Sequence, residues 1–151
     1  MTVEIAAIDK IDREILGILS KDARIPYQAL GDRVNLSANA CADRVRRLIR
    51  NGVIKRFTID IDQARLGRTL EAIIDLRVDD AERFKRAAVG NDEVTYVAHV
   101  TGSFDYHMLV ACAGTTGLNE LLNWFKTEGG VRETCTTVIL EQLGHEPDST
   151  S

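Results

Sequence analysis

Apolar residues recur at helical spacing in the first third of the chain. In residues 8–21 they lie mainly three or four positions apart, which is typical of a helix with one buried face: Ile8, Ile11, Ile15, Ile18 and Leu19. A second helix is expected to start at Pro26, because proline suits the first helical position, and to end at Asn35. Ser37 can cap a third helix, for which Gly52 supplies the stop.

Alternating and β-branched residues predict strands in the rest of the chain. Residues 53–62 are rich in β-branched side chains, which favours a strand, and residues 70–78 alternate between apolar and polar. The remaining expected elements are a helix at residues 79–90, strands at 94–100 and 106–113, a helix ending at Gly129 and Gly130, and a strand at 134–143. From residue 70 onward the order is βαββαβ, the ferredoxin-like arrangement, so the chain is predicted to be an α+β protein. Such a sheet has helices on one face only, and we expect a second copy of the chain to cover the other face.

The second and third helices are separated by a very short turn. A turn of this length fixes the angle between the helices, which predicts a helix-turn-helix at about residues 27–46. The second helix of such a motif lies in the major groove of DNA. Its inward positions are expected to be Cys41, Val45 and Leu48, and its outward positions Ala38, Asn39, Ala42, Asp43, Arg46 and Arg50.

The distribution of charge supports contact with nucleic acid although the chain is acidic overall. The net charge is −4, but residues 33–56 hold seven basic residues and one acid, a local charge of +6. Contacts with phosphates require such a local concentration of cations. Asn39 is expected to pair with adenine, Arg46 with guanine, and Ala38 or Ala42 to contact a thymine methyl group. Phosphates are expected to be contacted by Arg44, Arg47, Lys55 and Arg56. The complete set of residues predicted to contact DNA is Ser37, Ala38, Asn39, Ala42, Asp43, Arg44, Arg46, Arg47, Arg50, Lys55 and Arg56.

Composition limits the other classes of protein. No apolar run reaches the length of roughly 18 residues that a membrane span needs, and the N-terminus lacks the pattern of a secretory signal, so we expect a cytoplasmic protein that does not bind membranes. The cysteines Cys41, Cys112 and Cys135 are far apart and odd in number, which predicts no disulfide framework and no zinc site. We expect all three to be buried, and we expect neither a metal nor a cofactor.

Several segments together resemble one family of regulators. They are residues 8–16 (IDKIDREIL), 22–25 (DARI), 36–37 (LS), 44–48 (RVRRL) and 52–54 (GVI). With them the chain resembles the leucine-responsive and asparagine-responsive (Lrp/AsnC, feast/famine) family from about Ile8 to Leu143. The resemblance implies a winged helix-turn-helix domain with a linker strand at residues 8–69, a ferredoxin-like domain for effector binding and oligomerisation at 70–143, and a tail at 144–151. It also implies dimers, often assembled into octamers that bend or wrap DNA, and small effectors that are commonly amino acids.

The turn between the strands expected at residues 94–100 and 106–113 looks like the Gly-x-x-Asp-Tyr hairpin of that family. In the family this loop and the last strand line the effector pocket, which lies between dimers. The residues that match are Gly102, Ser103, Phe104, Asp105 and Tyr106, with Thr134 and Thr136 on the last strand. Gly102 allows close backbone approach and Asp105 can pair with an amino group, but both residues also suit an ordinary turn.

The chain departs from the family pattern in its second helix. Gly31 stands inside this helix, where glycine costs about 1 kcal/mol relative to alanine, so the helix is expected to be less stable than in relatives. Asn35 replaces the usual turn glycine, which asparagine can do because it tolerates the left-handed conformation.

Three alternatives to an effector-controlled, sequence-specific regulator remain open. A chromosome-organising protein with little sequence preference would need the same basic cluster. An enzyme related to haem-pathway decarboxylases would share the two-part architecture, and His99 and His107 flank the hairpin. A ligand sensor that has lost DNA binding is the third alternative, which the +6 segment disfavours.

Overall fold

The computed structural model describes residues 6–142 as two compact units that divide between Asp60 and Ile61. The tail predicted at residues 144–151 lies outside the described residues. Each unit has its own hydrophobic core, as expected for an α+β chain with a helical first part. None of the helices within residues 6–142 is long and apolar enough to cross a membrane.

The N-terminal unit consists of three helices, α1 (Lys10–Leu19), α2 (Tyr27–Val34) and α3 (Ala38–Arg50). They enclose a core that includes Ile15, Leu30 and Val45, as the helical spacing predicted. Pro26 precedes the first residue of α2 and occupies the N-cap position, so the predicted start was one residue early.

The strand predicted at residues 53–62 is wrong. This segment begins with a bend at residues 53–54 and then has no regular secondary structure. A strand needs a second strand to which it can hydrogen-bond, and none within residues 6–142 pairs with this segment. Val53 and Ile54 instead pack against the helical core, and their N–H groups donate to the Leu48 carbonyl at 2.9 and 3.1 Å.

The C-terminal unit is the predicted βαββαβ arrangement, preceded by a short 3-10 helix at Ala64–Leu66. Its elements are β1 (Leu70–Val78), α4 (Ala81–Val89), β2 (Val94–His99), β3 (Tyr106–Cys112), α5 (Gly114–Thr127) and β4 (Val131–Val138). The four strands form one sheet in the order β2-β3-β1-β4, and every neighbouring pair is antiparallel. This order confirms the ferredoxin-like fold.

The last strand lies earlier in the chain than predicted. We expected residues 134–143, but β4 begins at Val131, directly after Gly130 with φ +66°. Val131 pairs with Val78 across a register shift at the end of β1. The start of the strand is therefore set by pairing with β1, and the local sequence preference does not reveal it.

One face of the sheet is packed and the other is open. Ala72, Ile74 and Leu76 of β1 are fully buried in a core that includes Phe84 of α4 and Phe125 of α5. The alternate residues of the strands point to the opposite face, where half-buried and exposed side chains include Ile73, Asp75, Tyr96, His107, Leu109 and Cys135. Cys41 and Cys112 are buried as expected, but the prediction that Cys135 is buried was wrong, because this residue lies on the open face.

Candidate DNA-binding and effector sites

The angle between α2 and α3 is fixed by a three-residue turn. Asn35 adopts the left-handed conformation (φ 56°, ψ 45°), and the Leu36 N–H donates to the Gly31 carbonyl at 2.9 Å. Ser37 caps α3, its hydroxyl accepting from the Ala40 N–H at 3.2 Å. Gly31 is required by this turn, because a Cβ atom there would lie 2.3 Å from the Leu36 carbonyl oxygen. Gly31, which was expected to make α2 less stable, therefore permits the backbone of the turn at Leu36 to pack closely against α2.

One face of α3 is buried and the opposite face is polar. Cys41, Val45 and Leu48 are buried as predicted. The outward assignment of Ala42 was wrong, since only 6% of the residue is exposed. Ala42 precedes Val45 by three residues, so it lies on the edge of the buried stripe. Of the predicted outward residues, Asn39, Asp43, Arg46 and Arg50 are exposed and Ala38 is half-buried; Arg47 and Ile49 of α3 are exposed as well.

The basic residues differ in what they contact. Arg46 donates to the Asp43 carboxylate at 2.8 Å, and both side chains are well exposed. Within residues 6–142, no ion pair engages the exposed side chains of Arg50, Lys55 or Arg56. These cations are therefore available to a phosphate.

Arg44 and Arg47, which we expected at phosphates, are held by acids of α1. Arg44 donates to Asp9 at 2.6 Å and to Asp12 at 2.8 Å, and Arg47 donates to both oxygens of Asp12 at 3.0 and 2.8 Å. Hydrogen bonds from the Arg44 guanidinium and from the Asp12 N–H hold the pKa of Asp9 below its usual value. The same contacts with Asp9 and Asp12 raise the pKa of Arg44.

The turn between β2 and β3 is attached to the end of β1. The Asp105 N–H donates to the Leu76 carbonyl at 2.8 Å, and the Asp105 carboxylate accepts from the Val78 N–H at 3.0 Å. Arg77 donates to the Ser103 carbonyl at 2.6 Å, and its guanidinium carbon lies 5.5 Å from the centre of the Phe104 ring. One oxygen of Asp105 thus attaches the turn to the end of β1.

The other predicted effector residues occupy two different environments. Gly102 is exposed and has φ +121°, a conformation that favours glycine. Tyr106 is only 5% exposed, and its ring lies 4.6 Å from that of Phe84, so its aromatic face belongs to the core. Thr134 and Thr136 pair with Leu76 and Ile74, and they therefore share the helix-covered face of the sheet and are half-buried there.

Sequence reasoning missed the roles of Asp9, Asp12 and Arg77. Acidic residues such as Asp9 and Asp12 are favourable at the start of any helix, so their presence alone predicts no partner. Their spacing of three residues is that of a capping box, which they form, and Arg44 and Arg47 have the same spacing on α3. No signal in the sequence connected the two pairs, which are more than 30 residues apart.

Comparisons with known proteins assign both units. Residues 8–55 match the family model described as winged helix-turn-helix DNA-binding, and residues 71–148 match the Lrp/AsnC ligand binding domain. The regulator AldR of Mycobacterium tuberculosis is 33% identical over 144 residues, which cover 91% of this chain and 80% of that protein. The regulator LysM of Saccharolobus solfataricus is 34% identical over 140 residues, which cover 89% of this chain and 95% of that protein.

Solved structures show the same fold. LrpC of Bacillus subtilis superposes with a TM-score of 0.87 at 26% identity, over 93% of this chain and all of that one (100%). A transcriptional regulator of Neisseria meningitidis, solved in complex with L-methionine, superposes with a TM-score of 0.86 at 23% identity, over 92% of this chain and 94% of that one. These relatives are helix-turn-helix regulators, which sets the enzyme alternative aside. The chain belongs to the Lrp/AsnC family of transcriptional regulators, with a winged helix-turn-helix for DNA and a domain for a ligand.

Proposed function

We propose that this protein is a cytoplasmic, sequence-specific regulator that reads DNA through α3. The observation that carries the proposal is the division of this helix into a buried stripe and an accessible polar face that carries Asn39 and Arg46. Asn39 has the amide that pairs bidentately with adenine, and Arg46 has the guanidinium that pairs with guanine. Ala38 is small enough to let the helix approach the bases closely. Lys55 and Arg56, which follow α3, supply cations for phosphates.

The contact between Arg46 and Asp43 bears on how bases are read. In the free protein the guanidinium donates to Asp43 at 2.8 Å, and a guanine would take over one or both of its donors. An exposed ion pair of this kind contributes at most about 1 kcal/mol, so little free energy is lost when Arg46 leaves Asp43 for a guanine. Asp43 also repels phosphates, which favours base contact over backbone contact on this face of α3.

We further propose that the C-terminal unit binds a small effector, an amino acid, at the turn of residues 101–105. The match to a ligand-binding domain supports an effector, and the methionine complex of the Neisseria protein with the same fold supports the choice of amino acids. Gly102 and Ser103 present backbone that an α-carboxylate can approach. Asp105 retains a second carboxylate oxygen for an α-amino group, with Phe104, Thr134 and Thr136 as additional candidate contacts.

Self-association of the chain completes the proposal. The open face of the sheet carries Ile73, Leu109 and Tyr96, of which Tyr96 is 55% exposed. A half-apolar face of an antiparallel sheet is stabilised by a second layer, and a second copy provides one with twofold symmetry. We propose a homodimer formed in this way and its assembly into an octamer. An effector that binds one assembly better than another then changes which DNA sites are occupied together.

Fluorescence anisotropy tests the DNA-binding part of the proposal. The probes are the duplex upstream of the protein's own gene and a scrambled duplex, each measured at two salt concentrations with and without mixed amino acids. We expect at least a tenfold preference for the native duplex, a loss of affinity with salt, and a change on addition of amino acids. Equal, salt-sensitive binding to both duplexes would favour the chromosome-organising alternative, and no binding at low salt would favour the sensor that has lost DNA binding.

Matched variants separate base reading from phosphate contact. Arg46→Ala and Asn39→Ala should each reduce the preference for the native duplex, by about 1–3 kcal/mol, because each removes a bidentate base contact. Lys55→Ala should weaken binding to both duplexes equally and reduce the salt dependence. If Arg46→Ala and Lys55→Ala behave alike, α3 does not read bases through Arg46.

A further inference from the structure

Asp12 is the one charged residue of the described chain that is fully buried, and both of its carboxylate oxygens face arginines of α3. Its side chain is 1% exposed, whereas Arg44 and Arg47 are 24% and 44% exposed. A buried carboxylate requires compensating charges and hydrogen bonds, and here the two guanidinium groups supply them. Asp9 adds a second carboxylate on the outer side of Arg44.

The two acids are themselves held rigidly. Asp9 caps α1 by accepting from the Asp12 N–H at 2.8 Å, and Asp12 accepts from the Asp9 N–H at 3.2 Å. Each carboxylate therefore has a backbone donor in α1 and an arginine donor in α3. A connection of this kind fixes both the distance and the rotation of α3 relative to α1.

The same contacts change the electrostatics of the DNA-binding segment. Residues 33–56 carry a charge of +6, which falls to +4 when Asp9 and Asp12 are included. The low pKa of Asp9 and the high pKa of Arg44 keep these groups charged at neutral pH. Arg44 donates through Nη1 and Arg47 through Nη2 to carboxylates at 2.6–3.0 Å, so a phosphate at either guanidinium has to compete with a carboxylate that already compensates its charge.

We propose that Asp9 and Asp12 form an acidic clamp that positions α3 and withholds Arg44 and Arg47 from DNA phosphates. The inference rests on the proposed DNA-binding function and deepens it, because it assigns the phosphate contacts to other cations such as Lys55. Phosphate contacts carry affinity for any sequence, whereas base contacts depend on the orientation of α3. The clamp thus lowers non-specific affinity and preserves the orientation on which specific reading depends.

The test is the salt dependence of binding to a fluorescein-labelled duplex of random sequence, for which no operator needs to be known. Each phosphate contact contributes about −0.9 to the slope of log K against log salt concentration. Lys55→Gln should make the slope shallower by about this amount per bound α3. Arg47→Gln, which removes the same charge but keeps an amide donor for Asp12, should leave the slope unchanged.

Removal of an acid should have the opposite effect. Asp12→Asn has nearly the same shape and releases positive charge, so we expect tighter binding at low salt and a slope steeper by about 0.9–1.8 per bound α3. Asp32→Asn is the matched control. The exposed carboxylate of Asp32 accepts a hydrogen bond from Gln28 at 3.3 Å and forms no ion pair within residues 6–142, so the same change of charge there should leave the slope unchanged. If Asp12→Asn does not fold, as judged by circular dichroism, Asp9→Asn tests the contact with Arg44 at a half-exposed position.

The outcomes distinguish the clamp from the function on which it rests. If Arg47→Gln makes the slope shallower as Lys55→Gln does, Arg47 contacts phosphate and the clamp is refuted while DNA binding stands. If Asp12→Asn and Asp32→Asn alter the slope equally, the effect is one of net charge and the clamp is refuted. If the wild-type protein shows no salt-dependent binding, the proposed function fails together with the clamp.

Discussion

Replacement of Gly31 by alanine tests whether the turn of the helix-turn-helix depends on close backbone approach. From helix propensity alone, alanine in place of glycine should stabilise α2 by about 1 kcal/mol. In the structure, the added Cβ would lie 2.3 Å from the Leu36 carbonyl oxygen and 3.3 Å from the carbonyl carbons of Leu36 and Ser37. All three atoms belong to the backbone, so no flexible side chain can move aside.

The size of the effect follows from these distances. Carbon and oxygen atoms pack at about 3.3 Å or more, so the turn would have to open by about 1 Å. Such an opening strains the hydrogen bond from the Leu36 N–H to the Gly31 carbonyl, now 2.9 Å long. Overpacking typically costs about 1–3 kcal/mol, and a clash with backbone atoms alone belongs at the upper end of that range. After the propensity gain of about 1 kcal/mol is subtracted, we expect a net loss of unfolding free energy of about 2 kcal/mol.

Urea denaturation followed by far-UV circular dichroism measures the change. Since the urea slope of small proteins is about 1–3 kcal/mol per molar, the midpoint of Gly31→Ala should fall by roughly 1 M. Gly17→Ala is the matched control, because Gly17 lies inside α1 with nothing within 4 Å of an added Cβ, and its midpoint should rise slightly. A rise of the midpoint in both variants would show that the turn tolerates a side chain and would refute the reasoning.

Three further predictions concern the turn, the core and the open face of the sheet. Asn35 has φ 56°, a conformation that alanine disfavours and glycine accepts, so Asn35→Ala should lose about 1 kcal/mol of unfolding free energy in the same urea assay and Asn35→Gly should not. Equal losses in the two variants would contradict this. Phe125→Ala should cost about 3–5 kcal/mol since Phe125 is fully buried in the sheet core, whereas Val89→Ala, at an 83% exposed position, should change stability by less than about 0.5 kcal/mol. A thiol reagent at neutral pH should label Cys135 rapidly in dilute protein and more slowly at concentrations at which a second copy covers the open face. Cys112 is the control: burial raises its pKa to about 11, so it should react slowly at every protein concentration. Labelling of Cys135 at a rate independent of protein concentration would contradict dimerisation through this face.

The sequence predicted the type and order of nearly all the elements because their signals are local. The buried stripe of α3, the cap at Ser37 and the left-handed Asn35 follow from spacings of a few residues and from the conformational preference of single residues. The alternation in β1 predicted which of its residues are buried, and the ferredoxin-like order predicted that helices cover only one face of the sheet. The resemblance to a family of regulators depends on the same local segments, and the comparisons confirmed it.

The tertiary structure decided what the local signals could not. Residues 53–62 have strand-forming side chains, but a strand requires a pairing partner, and β4 begins where pairing with β1 sets its register. Gly31 is explained only by the position of the Leu36 carbonyl. Arg44 and Arg47 look like any other cations of the basic segment, and only the fold brings them to acids 32 to 35 residues away. Hydrogen bonds and ion pairs act over a few ångströms, so side chains distant in the sequence acquire their roles only when packing brings them together.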